Sequence, residues 1–129
     1  MIGYAYVCGD PFHVGHLNHL ESCKALCDEL VVGVLTDKAV MEKKPRPIIP
    51  FHERLRIIQA LKCVDLTVAQ STYSPMNNAL MMADVLFEST SHDPKDIEMY
   101  KSAMKVIVMP YYTEQSSTKI KERIKNGHS

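Results

Sequence analysis

Two histidines three positions apart, His13 and His16, flank Gly15 in the segment His13-Val14-Gly15-His16. An apolar run (Ile2, Ala5, Val7) precedes them and an amphipathic stretch follows, so the pair falls at a strand-to-helix junction. Two imidazoles placed there can converge on one anion. Gly15 lacks the Cβ that would hold a phosphate away from the backbone. The opening turn of the helix adds free N–H groups and a positive dipole end. The chemistry these residues suit is the binding of a nucleotide's phosphates.

Two further segments suit the same chemistry. Residues 38–50 form a loop with three prolines and four basic residues, among them Lys43, Lys44 and Arg46. Near the C-terminus, Thr113, Ser116, Ser117 and Thr118 stand at the start of an expected helix, where hydroxyls and helix-start N–H groups can hold phosphate.

The elements that must position these groups alternate in type. Strands are expected over 2–8, 30–35, 64–69, 84–87 and 105–109, and helices over 14–27, 50–61, 75–82, 94–101 and 116–125. Residues 30–35 (LVVGVL) read as a strand buried on both faces. In the helix over 14–27, Leu17, Leu20 and Leu26 mark one face. Such alternation predicts an α/β fold: a doubly wound, Rossmann-like, five-stranded parallel sheet with right-handed crossovers. Ligands then sit at the carboxyl ends of the strands. Cys8, Gly9, Asp10 and the two histidines follow the first strand, the basic loop follows the second, and the hydroxyl cluster follows the fifth. Asp65 and Asp84 flank strands and read as structural.

Composition bounds the rest. At 129 residues the chain fits a single domain, 1–129, with no repeat or linker. Fifteen basic residues balance fifteen acidic ones, so no global field draws it to nucleic acid or anionic lipid. The N-terminus carries no secretory pattern and no apolar run approaches the roughly 18 residues of a membrane span. A cytoplasmic protein is expected. Cys8, Cys23, Cys27 and Cys63 follow no paired framework and read as free thiols. His16, His19, Cys23 and Cys27 share a helix, but their spacing spreads them over different faces, so no protein-held metal is expected.

With these residues in view, the chain resembles the HxGH nucleotidyltransferase superfamily. His13-Val14-Gly15-His16 matches its first signature, and the segment Thr113–Ile124 (TEQSSTKIKERI) looks like the second signature of cytidylyltransferases. The likeness is closest to glycerol-3-phosphate cytidylyltransferases and covers almost the whole chain, residues 28–37, Arg54 and residues 62–65 included. It implies a CTP-dependent transfer of CMP to a small phosphorylated or phosphonate acceptor with release of pyrophosphate. Mg²⁺ would be carried by the triphosphate, and the enzyme would be a homodimer. The resemblance gives His13, His16 and Lys43 catalytic roles. It gives Cys8, Gly9, Asp10, Gly15, Thr113, Ser116, Ser117 and Thr118 to the nucleotide, and Lys43, Lys44, Arg46, Arg54, Lys62 and Tyr73 to the acceptor.

Three departures stand out. The family's Gly-Thr-Phe-Asp reads Val7-Cys8-Gly9-Asp10 here, and a family arginine in the second signature is replaced by Tyr111 or Tyr112. Losing such a charge-assisted contact costs about 1.5–3 kcal/mol. An acidic pair expected after the fourth strand reads Ser89-Thr90-Ser91-His92. Alongside a cytidylyltransferase, the sequence therefore also accommodates an ATP-dependent adenylyltransferase of the same superfamily (FAD synthetase-like), or a nucleotide-binding module without turnover.

Overall fold

Leu30 to Leu35 offer no polar side chain to solvent, and in the computed structural model this run is the strand most completely enclosed. The structure describes residues 1–110 and 121. Five strands, β1 (Ile2–Val7), β2 (Glu29–Leu35), β3 (Leu66–Gln70), β4 (Val85–Ser89) and β5 (Lys105–Met109), form one sheet in the order β3-β2-β1-β4-β5. Every pairing is parallel. The expected α/β Rossmann-like architecture is present.

Helices α1 (Val14–Lys24) and α3 (Phe51–Gln59) lie against one face. Leu20, Cys23 and Ile58 pack there on Ala5, Val7, Val32, Val34, Val85 and Phe87. Helices α4 (Met76–Met82) and α5 (Pro94–Ala103) cover the other, where Ala79 and Tyr100 meet Tyr4, Val31 and Leu86. The winding direction reverses between β1 and β4, which makes their carboxyl ends the crevice of the fold. Their backbone ladder runs only from Gly3–Val85 to Tyr4–Leu86. Beyond it, the strand ends carrying Tyr6 and Glu88 are joined by side chains instead.

Gly33 has a steric reason: a Cβ there would lie 1.8 Å from the Tyr4 hydroxyl. That buried hydroxyl donates to Gln70 Oε1 (2.7 Å), tying β1 to β3 across β2. Burial pushes its pKa up to about 12.

The structure corrects three local expectations. The segment 38–50 is not loop throughout, because Asp37–Val40 forms a short helix, α2, capped by Thr36 Oγ1 accepting from Ala39 N–H (3.1 Å). Helix α1 ends at Lys24 rather than at 27, and Leu26 is consequently 48% exposed. The core face of α1 is set by Gly15, Leu20 and Cys23. Asp65 and Asp84 do hold strands: they accept from the backbone N–H groups of Leu30 (2.8 Å) and Ile2 (2.8 Å).

Candidate active site

The turn that follows β1 is shaped by its glycine. Gly9 adopts φ +68°, a left-handed conformation that a side chain would strain, and a cis peptide joins Asp10 to Pro11. The chain then enters α1 with His13 as N-cap in extended conformation. His13 Nδ1 accepts from Gly15 N–H (3.0 Å), and His16 Nδ1 accepts from His13 N–H (3.1 Å). This is a capping box made of two histidines. The rings lie 3.9 Å apart, with Phe12 stacked on His16 at 5.4 Å.

Those two bonds fix the chemistry of the rings. A nitrogen that accepts from a backbone N–H carries no proton, so the hydrogen-bond pattern assigns the proton of each neutral imidazole to Nε2. Burial lowers the His13 pKa. Burial lowers His16 further, to about 3, reinforced by His13, His19 and Lys44. Both rings are thus neutral Nε2–H donors at pH 7.

The β2 side of the site is cationic. Lys43, Lys44 and Arg46 are exposed on the segment after α2. Lys43 Nζ sits 5.3 Å from the centre of the Tyr73 ring, and Glu42 accepts from Tyr73 N–H (3.0 Å), joining this segment to the end of β3. Cys8, like Tyr6 and Tyr73, packs against the buried cluster of Leu35, Ala39 and Val40, its thiol pKa raised by burial.

Two residues expected to touch ligands hold this scaffold instead. Arg54 was assigned to the acceptor, yet its side chain has no exposed surface. Nε donates to Ile49 O (2.9 Å), Nη1 to Cys8 O (2.8 Å) and Leu35 O (2.6 Å), and Nη2 to Asp37 (2.7 Å). One guanidinium thus joins the ends of β1 and β2 to the end of the basic segment. Asp10, assigned to the nucleotide, is 4% exposed. Its carboxylate accepts from Ile48 N–H (3.0 Å), Ile49 N–H (2.8 Å) and Lys121 Nζ (2.9 Å). Burial alone would raise its pKa, but these donors outweigh that and hold it below the usual carboxylate range. The backbone of Ile49 is therefore held at its N–H by Asp10 and at its C=O by Arg54. Lys121 lies in the segment 113–124 that resembles the second signature, where the resemblance gives roles only to hydroxyl residues.

The β4 side differs. Glu88, whose side chain has no exposed surface, accepts from the Tyr6 hydroxyl and lies 2.6 Å from His92 Nδ1. The Tyr6 and His92 rings stack at 5.4 Å, and Tyr6 Oη is 3.1 Å from the same Nδ1. Burial, then the Glu88 charge, raise the Tyr6 pKa. Sequence reasoning missed this trio, although a carboxylate directly after the apolar run Val85-Leu86-Phe87, still within the strand, was a usable signal.

Lys62 is corrected by topology. It lies between α3 and β3, at the amino end of a parallel sheet, opposite the histidines. A hollow of about 400 Å³ at that end is lined by Glu29 and Asp65 among apolar residues, and the cation beside it, Lys24, is paired with Asp65 (2.7 Å). Thr113, Ser116, Ser117, Thr118, Tyr111 and Tyr112 lie outside the described residues. Among the described residues no group of three His, Cys, Asp or Glu side chains could hold a metal. The thiol of Cys23 is pushed up to about 12 by burial, which makes it inert rather than a ligand or nucleophile. No described helix is long and apolar enough to cross a membrane.

Known proteins resemble this chain in sequence and in fold. The chain is 40% identical over 67 residues to an ethanolamine-phosphate cytidylyltransferase of Arabidopsis thaliana, covering 52% of this chain and 16% of that protein. It is 52% identical over 62 residues to an FAD synthase of Methanothrix thermoacetophila, covering 48% and 43% respectively. The matched segments thus cover less than half the length of either relative. Its fold matches that of a lipopolysaccharide core biosynthesis protein from Thermoplasma volcanium GSS1 with a TM-score of 0.74 at 24% identity, over 89% of this chain and 98% of the other. The family model for cytidylyltransferase-like proteins matches residues 6–123, from the end of β1 through the segment that carries Lys121, and the chain belongs to that family.

Proposed function

We infer that this chain transfers a nucleotidyl group, CMP from CTP, to a small phosphorylated or phosphonate acceptor and releases pyrophosphate. The observation that carries the reading is the histidine pair: two neutral imidazoles, each locked with Nε2–H as donor, beside a cationic segment at the strand ends. An acceptor phosphate oxygen attacks the α-phosphorus, a P–O bond forms, and the bond to the β-phosphate oxygen breaks in line. That nucleophile is already anionic at neutral pH, so no general base is needed. Catalysis reduces to placement and charge stabilisation. His13 and His16 donate to the α-phosphate as charge builds, and Lys43, Lys44 and Arg46 offset repulsion between the two anionic substrates. Mg²⁺ enters this reading as the triphosphate's counter-ion. Asp10 already accepts from Ile48 N–H, Ile49 N–H and Lys121, so the ion would be carried by the triphosphate.

The test is pyrophosphate release from CTP with a panel of phosphorylated polyols, aminoalkyl phosphates and phosphonates. Turnover with one of them, lowered at least tenfold in His16→Ala, is the expected result. Release that is unchanged in His16→Ala overturns the reading. The 52% identity to an FAD synthase supports a second reading, an ATP-dependent adenylyl transfer at the same site. Thermal shift with CTP against ATP separates the two.

A further inference from the structure

The cationic segment after α2 is held at both ends. At its front, the N–H groups of Lys43 and Lys44 donate to Val40 O (3.1 and 2.9 Å). At its rear, those of Ile48 and Ile49 donate to the two oxygens of Asp10 (3.0 and 2.8 Å). Pro45 and Pro47 stand between the two anchors and have no N–H to offer. Their rings, with that of Pro50, fix φ and stiffen the stretch. Where Lys44 and Arg46 stand therefore follows from how firmly Asp10 holds Ile48 and Ile49.

Asp10 does not hold them unaided. Its side chain is only 5% exposed, so the carboxylate has lost most of its hydration, and two neutral peptide donors leave part of that cost unmet. The third donor brings a full charge: Lys121 Nζ, 2.9 Å from Oδ2 and 111 positions away in the sequence. Lys121, Lys44 and Arg54 all act on the Cys8 thiol, which puts this ammonium at the carboxyl end of β1 with the rest of the site. An ammonium committed to a buried carboxylate makes a poor phosphate ligand, because leaving would strand the carboxylate. Its effect passes through Asp10 instead.

We propose that Lys121 is a positioning residue of the transfer reaction: through Asp10 it holds the backbone of Ile48 and Ile49, and with it Lys44 and Arg46, where the acceptor's phosphate or phosphonate meets them. The consequence for the acceptor rests on the nucleotidyl-transfer reading. The link from Lys121 to Ile48 and Ile49 does not.

The experiment compares Lys121→Met, Lys121→Arg and Asp10→Asn with the native protein in two measurements. The first is amide hydrogen exchange by NMR, with Val32 and Val34 of β2 as the reference for global opening. In Lys121→Met the Ile48 and Ile49 amides should exchange about tenfold faster relative to that reference, the loss of one charge-assisted bond. Lys121→Arg, which keeps the charge, should restore most of the protection. The second is steady-state kinetics with glycerol 3-phosphate, phosphoethanolamine and 2-aminoethylphosphonate as acceptors, beside calorimetric CTP binding without acceptor. Lys121→Met should lower kcat/KM for the acceptor about tenfold and leave CTP affinity within about twofold, since misplacement alone costs that much. Asp10→Asn should do the same, and adding Lys121→Met to it should cost little more, because both act through one bond. Unchanged exchange at Ile48 and Ile49, or acceleration equal to that at Val32 and Val34, overturns the proposal. A loss of CTP affinity in Lys121→Met that Asp10→Asn lacks makes Lys121 a direct phosphate ligand and also overturns it. If the native protein turns over no acceptor, the functional reading falls, and the exchange rates still decide the link from Lys121 to the segment.

Discussion

The segments that follow β2 and β4 flank the same histidine pair and are built on opposite charge. Residues 37–46 hold four basic side chains against two acidic ones, whereas residues 88–96 hold three carboxylates against one lysine. Each rests on a buried charge of its own sign. Arg54 lies under the cationic side and Glu88 under the acidic side, both 1% exposed. What those buried charges hold differs. Arg54 binds three backbone carbonyls and Asp37, so it fixes the course of the chain. Glu88 binds two side chains, so it fixes the direction of one imidazole. A buried ion bound to backbone thus fixes the path of the chain, and one bound to side chains fixes their orientation.

Replacing the two buried ions tests that distinction most severely. Arg54→Leu strands three carbonyls and a carboxylate and should lower unfolding free energy by about 3–5 kcal/mol. Glu88→Leu leaves Tyr6 and His92 without their acceptor, but His92 is partly open to water, so about 1–3 kcal/mol is expected. Urea denaturation of both variants measures the pair. Equal losses would break the contrast between backbone and side-chain anchoring. Next in size is Lys43→Ala, which removes a charge-assisted contact worth about 1.5–3 kcal/mol, or about 10- to 150-fold in kcat/KM. Lys95→Ala, on the acidic side, should leave kcat/KM within about twofold. A loss at Lys95 as large as that at Lys43 would mean that anions use both edges.

How much of this was legible in the sequence depends on the range of the interaction. The strands, the helices and the parallel sheet follow from local patterns: LVVGVL at 30–35 can only be buried on both faces, and His13-Val14-Gly15-His16 must follow a strand and open a helix. Short elements were lost, as with Asp37–Val40, whose four residues show no apolar periodicity and whose cap, Thr36, reads like any loop threonine. Charged residues were misjudged in one consistent way. Arg54 and Asp10 stand at family positions and carry the right charge for ligands. Yet their partners are carbonyls and N–H groups 5 to 46 residues away, which only the folded chain brings near. Lys62 is a different case. Its position ahead of β3 already placed it at the amino edge, so the order of the elements held the answer that the family match obscured. Tyr6 on β1 is separated by about 80 positions from Glu88 on β4 and from His92 in the turn after it, and no local pattern joins the three.

Between the two sides, the histidine pair carries its own pH signature. The folded-state pKa of His16 is depressed from 6.5 to about 3. Below pH 6.5 the unfolded chain therefore takes up a proton at this position that the folded chain refuses. Stability rises with pH from 3 to 6.5 and is fully present above that window. At about 1.36 kcal/mol per unit, His16 alone accounts for about 2 kcal/mol lost between pH 6.5 and 5. His13 and His19, both lowered first by burial, contribute in the same direction. His16→Asn should flatten the slope by that amount in denaturant titrations at the two pH values. A slope that is unchanged would mean that His16 titrates in the folded state, and a cationic ring would then sit where a neutral donor is assigned.

The smallest expected effect is the sharpest control on geography. Lys62→Ala removes an exposed cation at the amino edge of the sheet, a position that a parallel arrangement keeps a full strand length from the histidines. Substitutions of this kind change stability by no more than about 0.5 kcal/mol. At 0.15 M salt a charge that far from the phosphates is screened, since the Debye length is about 8 Å and five residues of strand span about 16 Å. The kcat/KM of Lys62→Ala should therefore stay within about twofold of the native value in steady-state assays at that salt. The same assay at tenfold lower salt raises the screening length past the strand length. A Lys62 effect that appears only there is long-range attraction of the anionic substrates. One that persists at 0.15 M requires direct contact, which would put the acceptor at the wrong end of the sheet and dissolve the comparison between the β2 and β4 sides.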